Sequence, residues 1–297
     1  MINKTNFNIK EVTGCLGGEC YLVVSGNKTV LCDTGFSFAA PQAASNIAEA
    51  TGGAGPDYIA LTHAHYDHAG GAAYLKSVFG NAAVIANSLS ADIFARPGAL
   101  RVMRELNASA VEEAPCRDPD ASRGHGDMLD RFKADILVPG PEDYTVAPDL
   151  VAIAAPGHTR DTTSYYFEDL GLLFATETTG VVACGAVVPT FITSYAQSLD
   201  AASRMEEIAA PSILSPHYGL LSGDDALLFP ARAREACEVF ADFVLSRHQS
   251  GMTYDEIVRA IHTAYYDALL LPTGKQPLAA FITNAKAVIP RLIAELE

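Results

Sequence analysis

The stretch Thr62-His63-Ala64-His65-Tyr66-Asp67-His68-Ala69-Gly70-Gly71 constrains this chain more than any other, because His63, His65, Asp67 and His68 place four strong metal-binding side chains within six consecutive positions. The apolar run Asp57-Tyr-Ile-Ala-Leu-Thr62 before it reads as a short buried strand, and the residues from Asp67 to Phe79 read as the first turns of a helix. The cluster therefore falls on a strand-to-helix loop. Desolvating three imidazoles and a carboxylate one by one costs kilocalories rather than tenths. A bound cation removes that cost, and His/Asp clusters of this kind mark metal or catalytic sites.

His-x-His-x-Asp-His after a short apolar strand resembles the signature of the metallo-β-lactamase superfamily. Three further ligand turns of that family have counterparts in the expected order. Leu150-Val-Ala-Ile-Ala-Ala155 runs into Pro156-Gly157-His158-Thr159, Gly171-Leu-Leu-Phe-Ala175 runs into Thr176-Glu177-Thr178, and Ser212-Ile-Leu-Ser-Pro216 runs into His217-Tyr218-Gly219. The family usually has Gly-Asp where this chain has Thr176-Glu177, so the carboxylate here stands one methylene further from the backbone. The resemblance covers roughly residues 8 to 225. The remainder is similar to the helical C-terminal additions of glyoxalase II-like enzymes and quinolone-signalling thioesterases.

The resemblance implies an αββα sandwich of two mixed sheets flanked by helices, with a helical C-terminal extension. It also implies a ligand set: His63, His65 and His158 for one cation, Asp67, His68 and His217 for a second, and Glu177 between them. Asp67 would also orient the nucleophile, and Asp33, at the end of the strand-like run Thr29-Val-Leu-Cys32, would hold a ligating imidazole from behind. Such a donor set suits zinc, iron or manganese, and the residue types alone do not choose among them; two divalent ions, zinc foremost, are the expectation. Two cations about 3.5–4 Å apart lower the pKa of a shared water so that hydroxide exists at neutral pH. That hydroxide would be the nucleophile. Tyr195 and Tyr218 are candidates for hydrogen-bonding a substrate oxygen, with packing the alternative for each.

The formal net charge of −15 disfavours a nucleic-acid partner, since such binding leans on Lys and Arg neutralising phosphates. Arg96, Arg101 and Arg104 are interleaved with apolar residues and read as a helix surface. No apolar run approaches the roughly 20 residues of a membrane span, and residues 1 to 10 lack an apolar secretion core, so a cytoplasmic protein without a membrane partner is expected. Cys15, Cys20, Cys32, Cys116, Cys184 and Cys237 show no paired spacing and read mostly as buried reduced thiols. Cys184 follows Glu177 closely enough for a place near the site.

Along the chain, Cys20–Ser25 and Thr29–Cys32 around Gly26-Asn27 read as a hairpin, and residues 39 to 51 as a helix stopped by Gly52-Gly53. A strand over 82–86 and a helix from Ser88 to about Asn107, interrupted at Pro97-Gly98, follow. Residues 112 to 130 lack periodicity and read as a long loop, in which His125 is a solvated histidine. Beyond about Asp224 the pattern is helical, with a Thr253…Glu256 capping box and a final amphipathic helix containing Pro290. His248 and His262 are ordinary helix residues of this part. The expected organisation is thus a domain over 1–224 and a helical annex over 225–297, packed on the domain or on a second subunit as a homodimer.

The reading that follows is a binuclear metal-dependent hydrolase of a small ester, thioester or lactone. A redox di-metal protein resembling the flavodiiron reductases is a second reading, although those relatives typically have Glu where this chain has His65. A ligand sensor that retains the metal site without turnover is a third.

Overall fold

The computed structural model describes residues 9–114, 128–140 and 142–297, so His125 and most of the aperiodic 112–130 stretch lie outside the described residues. The chain divides into two compact units. The first spans Met1–Pro139, Tyr144–Val151 and Phe167–Leu170, and the second spans Gly140–Asp143, Ala152–Tyr166 and Gly171–Glu297.

In the first unit Ile9–Glu11 (β1), Tyr21–Ser25 (β2) and Lys28–Cys32 (β3) pair antiparallel. Gly26, at φ 55°, opens the two-residue turn between β2 and β3, where a type II′ turn requires positive φ. From β3 onward the sheet is parallel, with Tyr58–Ala60 (β4), Ala83–Asn87 (β5) and Ile136–Val138 (β6) completing the spatial order β1-β2-β3-β4-β5-β6. The crossovers are the helices Ala40–Thr51 (α1), Ala72–Val78 (α2), Ser88–Phe94 (α3) and Pro97–Glu113 (α4). Gly52 at φ 61° ends α1, and Pro97 opens α4 at the position where its missing N–H costs nothing. Val30, Leu31, Ile59, Val84 and Ile85 are fully buried, which explains why these strands read as apolar runs rather than alternating ones. The loops leaving β3 and β4 begin at the carboxyl ends of parallel strands, the place where open α/β sheets build their sites. Those loops carry Asp33 and the histidine cluster.

A second six-stranded sheet is built from Tyr144–Ala147 (β7), Leu150–Ala154 (β8), Thr163–Phe167 (β9), Leu172–Phe174 (β10), Ser212–Ser215 (β13) and Gly219–Ser222 (β14), in the order β14-β13-β10-β9-β8-β7. It is mixed, because β10 and β13 are parallel while β13 and β14 are antiparallel. Val181–Ala183 (β11) and Ala186–Val188 (β12) form a separate small hairpin, and Tyr195–Ile208 (α5) precedes β13. The turns of His158, Glu177 and His217 follow β8, β10 and β13 respectively.

The C-terminal helices are Asp224–Gln249 (α6), Tyr254–Ile261 (α7) and Leu278–Leu296 (α8), and they belong to the second unit. The helix that opens at the Thr253…Glu256 capping box changes after Ile261 into a π-helical stretch, His262–Leu270. Phe240, Val244, Ile257, Ile261, Val288 and Leu292 form one buried cluster between these helices. The Glu295 carboxylate accepts from Ser194 Oγ at 2.6 Å, Tyr195 N at 2.8 Å and Ala196 N at 3.1 Å, placing an anion at the N-terminus of α5. No helix among the described residues is long and apolar enough to cross a membrane. Cys20, Cys32 and Cys237 are buried free thiols, whereas Cys15 is disulfide-bonded, a departure from the reduced state expected for the set. Burial pushes the Cys237 thiol up to about 12, so it stays protonated and unreactive.

The Thr253 hydroxyl and the Glu256 carboxylate cap each other's backbone at the start of α7. Thr253→Ala should lower unfolding free energy by about 0.5–2 kcal/mol, and Leu292→Ala by about 2–5 kcal/mol. Urea denaturation followed by circular dichroism measures both. A smaller loss for Leu292→Ala than for Thr253→Ala would contradict the helical core described here.

Candidate metal centre

One histidine cluster grows out of β3 and β4. Asp33, fully buried and at φ 57°, accepts from Thr62 N at 2.8 Å and from the Thr62 hydroxyl at 2.9–3.0 Å, and its Oδ2 lies 2.8 Å from His68 Nδ1. A carboxylate only accepts, so the His68 proton sits on Nδ1 and Nε2 carries the lone pair. The Thr62 hydroxyl has one proton, directed to Asp33, and its oxygen lies 3.0 Å from His63 Nδ1. The same argument therefore assigns His63 its proton at Nδ1 and its lone pair at Nε2. Thr34 fixes the far end of the loop, its N–H and its hydroxyl each donating to the His68 carbonyl at 2.7 Å. The two glycines that end the motif are required by close approach. A Cβ at Gly70 would lie 2.2 Å from the Tyr66 carbonyl oxygen, and one at Gly71 would lie 2.5 Å from that of Thr34.

This loop brings His63, His65, Asp67 and His68 together. The His63 ring centroid is 4.4 Å from those of both His65 and His68, and Asp67 Oδ2 is 3.8 Å from His68 Nε2. His63, Asp67 and His68 are buried, while His65 is half-buried.

A second cluster is assembled by the other sheet. Gly157 sits at φ 141°, and a Cβ there would lie 2.3 Å from Ser198 Oγ, so only glycine fits. Its carbonyl accepts from the N–H groups of Ile192, Thr193 and Ser194 at 2.9–3.2 Å. The next residue, His158, donates its N–H to Thr178 Oγ1 at 3.2 Å, and its Nδ1–H goes to the Thr190 carbonyl. His158 Nε2 lies 3.3 Å from Glu177 Oε2, and His217 Nε2 lies 3.2 Å from Glu177 Oε1. Each oxygen of the buried Glu177 carboxylate thus faces one imidazole nitrogen, and the three side chains share one focus. His217 is held at φ 60°, with its carbonyl accepting from Lys275 Nζ at 2.6 Å.

These residues fit a divalent cation. The network fixes the protons of His63, His68 and His158 on Nδ1, and neutral imidazole with Nε2 free to donate is the form that ligates metal. Lone pairs of His158 aimed at a carboxylate oxygen repel unless positive charge lies among them.

A pocket enclosing about 550 Å³, part of it open to solvent, lies within the second unit and has His158 and Glu177 in its wall. Thr190, Tyr265, Gln276 and Asn284 supply its other polar groups. Sequence reasoning did not single out these four. Thr190 acts partly through its backbone carbonyl, which leaves no residue-type signal; Tyr265 and Asn284 come from the C-terminal helices and Gln276 from the bend before α8. Tyr195 packs its ring 5.6 Å from Phe191, Tyr218 is exposed, and neither lines this pocket. Cys184 is exposed in the turn between β11 and β12, with its thiol 3.5 Å from the Leu269 carbonyl. His248 and His262 stand near Glu297 and Asp267, at 3.7 and 3.4 Å, on partly exposed helix surface.

The family model of the metallo-beta-lactamase superfamily matches residues 13–217. A metallo-beta-lactamase fold-containing protein of Sulfurisphaera tokodaii is 26% identical over 207 residues, 68% of this chain and 73% of its own. Among solved structures, a metallo-beta-lactamase family protein of Thermus thermophilus superposes with a TM-score of 0.63 at 17% identity, covering 97% of this chain and 92% of that one. A metallo-beta-lactamase of Cronobacter sakazakii, a mutant of its HARLDQ motif, superposes with a TM-score of 0.53 at 21% identity, covering 82% and 95%. Two mixed sheets, their helices and a C-terminal helical region match the fold these proteins share. With the family model spanning all four ligand turns, this chain belongs to the metallo-β-lactamase superfamily.

Proposed function

We propose that this protein is a hydrolase of a small ester, thioester or lactone that works with two divalent cations, zinc foremost. By the ligand order of the family, His63, His65 and His158 would hold one cation and Asp67, His68 and His217 the other, with Glu177 contributing to both. The observation that carries this reading is the locked tautomers. Asp33, Thr62 and the Thr190 carbonyl hold the Nδ1 protons of three histidines and so leave Nε2 as the donor atom. When bound, the cations supply Lewis acidity to a carbonyl oxygen and lower the pKa of a water to about 7.

The chain's own groups do the rest. The Asp67 carboxylate would accept a hydrogen bond from the attacking water and so orient it. Glu177 sets the spacing of His158 and His217, since each imidazole meets a different oxygen of its carboxylate. Lys275 holds the left-handed backbone of His217, a conformation that costs on the order of 1–3 kcal/mol and persists only where the surroundings enforce it. The acidic balance of the chain and its lack of a basic stripe support a small-molecule substrate over a polyanion.

Substitutions at four positions test the reading. His63→Ala should lower bound metal from about two ions per chain to about one or fewer and abolish hydrolysis of a thioester and lactone panel. His262→Ala, remote in sequence from every ligand turn, should leave both unchanged. Elemental analysis and initial rates measure them, and equal effects would contradict the assignment. Asp33→Asn should weaken metal binding by about 10–100-fold, read by competition with a chromogenic chelator, with the fold retained by circular dichroism. Glu177→Gln should lower metal occupancy more than Glu177→Asp does, because only the second keeps a charged carboxylate. The reverse order would remove Glu177 from the ligand set.

A further inference from the structure

The pocket of the second unit has a composition at odds with a merely solvated vestibule. His158 and Glu177 lie in its wall, and from them it runs between buried apolar side chains, among them Phe191, Phe240, Ile261 and Val288. No lysine or arginine is among the residues that line it. Most of its lining side chains are apolar and only a few are polar, the composition of sites that take small organic ligands. The π-helical stretch after α7 contributes Tyr265 and Leu270, and α8 contributes Phe281, Asn284 and Ala285. Burial pushes the Tyr265 phenol up, so its hydroxyl stays a neutral hydrogen-bond donor. π-Helical turns are rare and concentrate at functional sites.

We infer that the substrate carries an uncharged apolar acyl arm, which lodges between α6, α7 and α8 with its carbonyl end toward His158 and Glu177. Two facts argue for this chemistry. An anionic arm would find no cationic side chain in the lining, whereas apolar surface entering this pocket leaves water for aromatic and aliphatic contacts. Gln276, Asn284 and Tyr265 supply neutral polar groups suited to one amide or ester oxygen along the arm. The inference rests on the hydrolase reading for the identity of the reacting end, but not for the occupancy of the pocket.

The test separates the two. Fluorescent N-phenyl-1-naphthylamine is titrated into the full chain and displaced by neutral 1-alkanols of increasing length, and p-nitrophenyl esters from acetate to decanoate are then assayed. Affinity should rise about fourfold per added methylene until the pocket is filled. Ala285→Leu, which fills the pocket, should remove that gain and lower the decanoate-to-acetate ratio of kcat/KM at least tenfold. Lys286→Ala, exposed on the same helix, should not. Should Ala285→Leu lose its folded circular dichroism spectrum, Phe281→Ala at the half-buried rim replaces it and should shift the preferred chain length upward. Chain-length-dependent binding with no hydrolysis under any metal would sustain the pocket and overturn the hydrolase. Hydrolysis with affinity and rate indifferent to chain length would overturn the pocket and leave the hydrolase standing.

Discussion

The buried carboxylate of Asp33 is the interaction on which the histidine loop depends. It gathers the Thr62 N–H, the Thr62 hydroxyl and His68 Nδ1 around one charge, and a fully buried carboxylate left without such donors would be far too costly to keep ionised. The same bonds decide protonation. With Nδ1 committed, each ring turns Nε2 and its lone pair outward, and a donor set exists before any cation arrives. The left-handed backbone of Asp33 is part of this arrangement, since aspartate tolerates that region better than most residues and the turn after β3 aims its side chain at the neighbouring loop.

The cluster of His158, Glu177 and His217 reaches a similar end by different means. Its orienting acceptor for His158 is a backbone carbonyl, that of Thr190, and its ordering device is glycine. Gly157 lets three consecutive N–H groups converge on one carbonyl where a side chain would collide with Ser198. Glu177 then stands in a short 3₁₀ turn whose first N–H bonds are taken by Thr176, and its extra methylene lets the carboxylate reach a histidine on either side. The longer side chain is thus accommodated rather than displaced to the surface, because Glu177 is buried and both its oxygens face imidazole.

The C-terminal helices are joined to this cluster both through packing and through specific bonds. Lys275 secures the His217 carbonyl, Glu295 caps α5, and Arg291 donates to the Ile192 carbonyl at 3.0 Å. Their apolar faces cover one another and, where the π-helical stretch widens the turn, leave a lined pocket instead of closed core. The helices that read in sequence as an accessory are therefore the elements that shape access to His158 and Glu177.

The amino-acid sequence by itself determined the ligand types and their order, because metal donors are few and their spacing on a strand-to-helix loop has little other use. It also determined the β2–β3 hairpin, the helix stops at Gly52 and Pro97, and the capping box at Thr253, each of which is enforced by local backbone sterics or by a bond between near neighbours. The short strands β1, β6, β7, β9 and β14 and the hairpin of β11 and β12 were not singled out, since segments of three to five residues take their conformation from the partner they pair with. Only tertiary structure decided which nitrogen of each histidine carries the proton, why the chain can place a glutamate where relatives have aspartate, and that Tyr265, Gln276 and Asn284 line a pocket. Those properties arise from atoms far apart in the chain, a Thr190 carbonyl beside His158 or a Lys275 ammonium beside His217, and a backbone carbonyl is the same in every residue, so no pattern of letters announces it.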